Sequence, residues 1–127
     1  MLRAFFMVGI GGFVGSVCRY GVSYLTTKYY PTTFPAGTFI INLLGCLLIG
    51  ILYGLSLRNH WLQDAGWLLL ATGFCGGFTT FSAFALDNVK LMQQQLNFLS
   101  LLYVISSTAL GIVACKAGIW LTQISHS

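Results

Sequence analysis

Apolar residues run along this chain in four long stretches, separated by short polar or proline-bearing connections. A bilayer core about 30 Å thick is crossed by roughly 20 apolar residues of helix. All four stretches approach that length: Arg3 to Leu25, Thr38 to Leu57, Trp61 to Leu91, and Leu99 to Leu121. The pattern predicts an all-α membrane protein with four transmembrane helices and both termini on one side. In the first connection, Lys28 to Pro35, two prolines sit among interfacial aromatics; Arg58-Asn59-His60 interrupts the second run, and Gln93-Gln94-Gln95 closes the third. With no linker, repeat or low-complexity tract left over, residues 1–127 read as one domain. Arg3 ahead of an apolar run is also a feature of secretion signals. The run continues past Arg19 to Leu25, however, and Val17 before Cys18 is a poor cleavage position, so a retained helix is expected.

Composition narrows the class. Of 127 residues, 57% are hydrophobic and 6% charged, where a soluble domain carries about a quarter charged. That excludes a disordered chain, a nucleic-acid binder with a dense basic face, and a solvated enzyme built on carboxylates. The six cations are scattered, so their positions matter more than the net charge of +4. Arg3, Arg58 and Lys116 fall towards the side of the termini, and Arg19, Lys28 and Lys90 towards the other, three against three. Lys/Arg bias sets orientation, so a balanced chain is expected to insert both ways round. Four short helices packed on one another leave no aqueous path, and transport would require at least a dimer, which dual insertion allows to be antiparallel. The pairs Gly11/Gly15, Gly50/Gly54 and Gly73/Gly77 have the small-xxx-small spacing that permits close helix approach, although 15 glycines produce such spacings readily by chance.

The segment from Gly73 to Phe84, Gly-Phe-Cys-Gly-Gly-Phe-Thr-Thr-Phe-Ser-Ala-Phe, is the informative one. Adjacent glycines followed by two threonines are poor helix formers, and a backbone carbonyl freed in lipid must find a partner inside the protein. A break here would offer carbonyls with partial negative charge to a cation; a packing contact with no ion is the competing reading. Phe78, Phe81 and Phe84 recur every three residues, and phenyl rings turned edge-on present a positive rim to an anion. Asn42 is the only amide deep in the second stretch, with Thr38 four residues earlier on the same face, and Tyr103 and Ser107 form a similar pair in the fourth. Ser106 and Thr108 beside them are expected to bond back to their own backbone. Cys18, Cys46, Cys75 and Cys115 fall in four different stretches, while His60 and His126 lie at segment edges; small packing residues are a better reading than a zinc site. Asp64 lies in a connection and Asp87 near the end of the third stretch. A proton-coupled multidrug-type exporter, the alternative of this size, normally needs an intramembrane carboxylate.

Taken together, Gly73 to Phe84, Gly12, Gly15 and Arg19 in the first stretch, and Gly37-Thr38 with Asn42-Leu43-Leu44-Gly45 in the second resemble the CrcB/Fluc family of microbial fluoride channels, across essentially the whole chain. The resemblance implies an antiparallel, dual-topology homodimer in the bacterial cytoplasmic (inner) membrane, lowering cytoplasmic fluoride through two pores, with a structural sodium ion at the interface. By motif position, the sodium ligands would be the carbonyls of Gly76 and Thr79 from both subunits. Phe81 and Phe84 would face fluoride with Asn42 donating beside them, Thr38, Thr80, Ser82, Tyr103 and Ser107 would belong to the polar track, and Arg19 would draw anions into a vestibule. One position departs from the family. The residue four beyond Ser107 is Gly111, which has no side chain, and Ser106 or Thr108 would substitute there only if the helix were rotated.

Overall fold

The computed structural model describes residues 1–124 and is helical, with no strand among the described residues; His126 lies outside them. Among the described residues, four helical spans are long and apolar enough to cross a membrane. They are α1 (Leu2–Tyr29), α2 (Ala36–Ser56), a bent third span (Trp67–Gln93) and α6 (Asn97–Ile124). A short helix, α3 (His60–Gln63), precedes the third span, which comprises a π-helical segment (Trp67–Cys75), α4 (Gly76–Phe78) and α5 (Phe81–Gln93).

The third span begins at Trp67 rather than Trp61, which instead belongs to α3. The cause is a side-chain cap: Asn59 Oδ1 accepts from the Trp61 and Leu62 N–H groups at 2.9 and 3.4 Å, starting a separate turn. Arg58 then reaches across the same end of the bundle, donating from Nη2 to the Thr122 carbonyl at 2.6 Å near the close of α6, where the helix dipole favours a cation. The turn from α5 to α6 is tight. Gln95 adopts φ 63°, and the Leu96 N–H bonds the Leu91 carbonyl at 2.8 Å, so orphan carbonyls at the end of α5 are satisfied within three residues.

Glycines determine how closely the helices approach. A Cβ on Gly11 or Gly15 of α1 would overlap the Leu69 or Phe74 carbonyl of the third span. From the other side, a Cβ on Gly77 would stand 2.5 Å from the Gly12 carbonyl oxygen. In the second interface, Gly50 and Gly118 bring α2 and α6 into backbone contact, with Cys115 and Leu47 opposite, and Gly54 makes room for the Thr122 side chain. All three glycine pairs therefore lie where helices meet. Large apolar side chains such as Phe5, Phe13, Ile112 and Val113 point outward, as a bilayer solvent permits. Gly77→Ala is expected to push α1 away from α4 and cost about 1–3 kcal/mol, the usual penalty for overpacking. A lowered melting temperature of the detergent-solubilised protein would register it, and an unchanged one would show that the contact relaxes freely.

Candidate ion pathway

The third span breaks at Thr79 and Thr80, whose backbones are extended (φ −83°, ψ 158° and φ −151°, ψ 126°). Gly76 stays helical at φ −63°, ψ −36°, so of the two glycines and two threonines expected to disfavour helix here, the threonines make the bend and Gly77 makes the close approach to α1. Several of the backbone groups at the bend can be followed to new partners. The Asn42 side chain of α2 clamps Thr80 from both ends: Oδ1 accepts from the Thr80 N–H at 3.0 Å and Nδ2 donates to the Thr80 carbonyl at 3.1 Å. Thr80 Oγ1 caps α5 by accepting from the Ala83 N–H at 3.2 Å. Thr79 closes the preceding turn, with its N–H and hydroxyl both donating to the Cys75 carbonyl at 2.9 and 2.8 Å.

These redirections have a consequence for the carbonyls. In an unbroken helix the Thr80 N–H would serve the Gly76 carbonyl and the Ala83 N–H the Thr79 carbonyl. Both donors are spent elsewhere. The Gly77 carbonyl, which loses its helical donor to the same bend, receives Arg19 Nε at 3.2 Å. Arg19, expected in a vestibule, lines neither of the two cavities beside the break and α5; it sits against the break from the α1 side.

An open groove of about 490 Å³ runs along the outside of the break, lined by α2, the third span and α6. It gathers Asn42, Gly76, Thr79, Thr80, Phe81, Phe84 and Ser107. Ser82 stands at its edge, exposed, with its hydroxyl 3.2 Å from Thr80 Oγ1. Phe81 is 79% exposed and Phe84 half-buried, with ring centroids 5.8 Å apart and planes at 41°. Phe78, equally spaced in sequence, is separated from them by the break: it is buried and stacks on Phe74 at 5.7 Å. Ser106 bonds back to the Leu102 carbonyl at 2.6 Å. Thr108 lines the groove beside Ser107. The Ser107 hydroxyl oxygen is sealed from solvent and has no hydrogen-bond partner.

Thr38 and Tyr103 belong to a second locus. A pocket of about 220 Å³ at the end of the bundle is lined by Ser23, Thr26, Thr38 and Asp87, among others. Tyr103 is fully buried: its hydroxyl donates to Asp87 Oδ2 at 3.1 Å and also meets the Thr38 side chain. Its ring packs on Phe84 at 4.9 Å and on Phe34 at 5.3 Å. Tyr103 therefore stands between the end pocket and the aromatic pair of the groove. Asp87 is less peripheral than its place in the sequence suggests, because α5 runs on past it to Gln93. One polar pair escaped the sequence reading altogether. Ser100 donates to Asn88 Oδ1 at 2.7 Å, with Asn88 Nδ2 donating to the Phe84 carbonyl at 2.9 Å, which anchors α5 on α6 just beside Phe84.

Comparison with known proteins bears on this geometry. The sequence profile of the family described as CrcB-like protein, Camphor Resistance (CrcB), matches residues 6–119. A protein from Azobacteroides pseudotrichonymphae named fluoride-specific ion channel FluC is 46% identical over 123 residues, covering 97% of this chain and 98% of the relative. Proteins of the same name from Flavobacterium psychrophilum and Phocaeicola vulgatus are each 39% identical, over 93% and 96% of this chain and 95% and 100% of their own. With the profile spanning the bundle from α1 to α6 and the relatives matching end to end, the chain belongs to the CrcB family.

Proposed function

We propose that this protein is a fluoride-selective channel of a bacterial cytoplasmic membrane, a passive conductor and no enzyme, which lowers cytoplasmic fluoride. The observation that carries the reading is the groove, whose lining combines an amide, hydroxyls and tilted phenyl rings with no lysine, arginine or carboxylate. A small anion that exchanges its water shell for such neutral donors and ring edges is held weakly enough to leave again. Relatives covering nearly the whole chain are named for this activity.

The working unit in this proposal is an antiparallel homodimer with two pores. Support comes from the groove itself, because hydroxyls and freed carbonyls on the outer face of a bundle would be costly against lipid, and a second copy would cover them. A structural sodium ion fits between the copies. Gly76 and Thr79 both line the groove, both have carbonyls whose helical donors are engaged elsewhere, and a Cβ on Gly76 would meet nothing within 4 Å. Carbonyl oxygens are hard ligands suited to such a cation, which would neutralise their partial charge and hold the bend in place.

Fluoride efflux from liposomes containing the purified protein, with chloride as the control, tests the function. Electrogenic fluoride loss without chloride loss is expected; no fluoride loss would overturn the reading. A reporter fused to the C-terminus is expected to appear on both sides of the membrane in comparable amounts, and its confinement to one side would exclude the antiparallel pair. The carboxylate of Asp87 beside Tyr103 favours a second reading, a proton-coupled multidrug-type exporter. That reading requires efflux driven by a pH gradient.

A further inference from the structure

The fourth span has a gap. Tyr103 and Ser107 present hydroxyls one helical turn apart, but the next position on that face, Gly111, is buried and has no side chain. The space is filled from another helix. Cys46 Sγ of α2 lies 3.3 Å from where a Cβ on Gly111 would stand, and Cys46 lines the same groove as Ser107, Asn42 and Phe84. We infer that Cys46 supplies from α2 the polar contact that α6 lacks at Gly111, so that its thiol and the Ser107 hydroxyl form one contact point for the permeating anion.

The inference rests on the fluoride-channel reading and adds a residue to it. Its second support is the Ser107 hydroxyl, buried and unpartnered beside the groove. A buried hydroxyl without a partner costs about 1–3 kcal/mol, so its persistence at a groove wall indicates that something else accepts its proton. An anion in the groove becomes such an acceptor when the Ser107 side chain turns towards the groove that its residue lines. A thiol is a weak donor with a polarisable sulfur, and it can share that anion with Ser107 without trapping it, as conduction demands. The contact also bears on Gly111: a side chain there would crowd the sulfur, so a hydroxyl on α6 and the thiol on α2 would compete for neighbouring space.

The test is fluoride efflux from liposomes for the wild type, Cys46→Ala, Cys46→Ser and the double variant Cys46→Ala/Gly111→Ser, with Phe81→Ile as a non-conducting control and gel filtration to verify assembly. Cys46→Ala is expected to slow efflux about tenfold, the low end of what one hydrogen bond to a charged group contributes. Cys46→Ser should conduct close to the wild type. The double variant should regain most of the lost rate, because the hydroxyl returns from α6 into the space the sulfur vacated. Normal efflux by assembled Cys46→Ala, with Phe81→Ile silent, overturns the inference and leaves the channel reading standing. Slow efflux that neither serine restores, in variants that assemble normally, reduces Cys46 to a packing residue and also overturns it. A silent wild type overturns the channel reading itself.

Discussion

Phe81→Ile reduces fluoride efflux to the background leak of empty liposomes and leaves the assembled protein intact. The expectation follows from where the ring sits. At 79% exposure on the single chain, Phe81 contributes little to the core of the bundle, so replacing it with another apolar residue of similar bulk leaves folding almost untouched. Isoleucine keeps the apolar volume and removes the aromatic edge, which is the only part of this side chain that an anion finds attractive. Phe84 is a less clean target because its ring packs 4.9 Å from that of Tyr103, and the same substitution there would disturb the α5–α6 contact as well. Gel filtration and efflux on one preparation are the measurements. Wild-type efflux from an assembled Phe81→Ile variant would remove the ring from the pathway.

Asn42→Ala should be the most damaging single substitution to the bend. Its side chain makes both hydrogen bonds that satisfy the backbone of Thr80, at 3.0 and 3.1 Å. Truncation strands an N–H and a carbonyl where no helix supplies a replacement, at about 1–3 kcal/mol for each group. Two such losses would lower the melting temperature by roughly ten degrees, and efflux should disappear with the geometry of the break. Asn42→Asp is the informative companion, since an ionised carboxylate still accepts from the Thr80 N–H but sets its second oxygen against the Thr80 carbonyl, where only the protonated acid can donate; its melting temperature should therefore rise as the pH is lowered. An Asn42→Ala protein as stable as the wild type would mean that the clamp does not hold the bend.

The four spans were legible because membrane hydropathy is a signal some twenty residues long, and no local detail erases it. Their limits were less so. Trp61 looks like the start of a span by composition, and only the Asn59 cap, a matter of three atoms, assigns it to a separate turn. The Gly-Gly-Thr-Thr run marks the segment of the break, and within it the break falls on the two threonines. Helix propensity singles out Gly76 and Gly77, whereas the bend depends on Asn42, a partner 38 positions away that no local scale can see. Phe78 and Phe81 were indistinguishable by spacing, and the bend between them turns one into the core and the other outward. Asn88 and Ser100 went unread for a related reason. Each is an ordinary polar residue near a helix end, and the pair exists only once α5 folds back on α6. Tyr103 was recognised by its one-turn spacing from Ser107, yet its engagement with Asp87 shows that the polar face bends away towards the end of the bundle.

The two extended residues of the third span also divide a dipole. An unbroken helix would carry its partial charges at its far ends, near the lipid headgroups. Interrupting it at Thr79 and Thr80 brings the negative pole of one half and the positive pole of the other together at mid-depth, only two residues apart. The carbonyl side of that junction suits a cation, and the side that opens α5, where Phe81 and Ser82 begin the helix, suits an anion. On the proposed function, one interruption would thus serve ions of both signs midway along a span, using peptide groups in place of charged side chains.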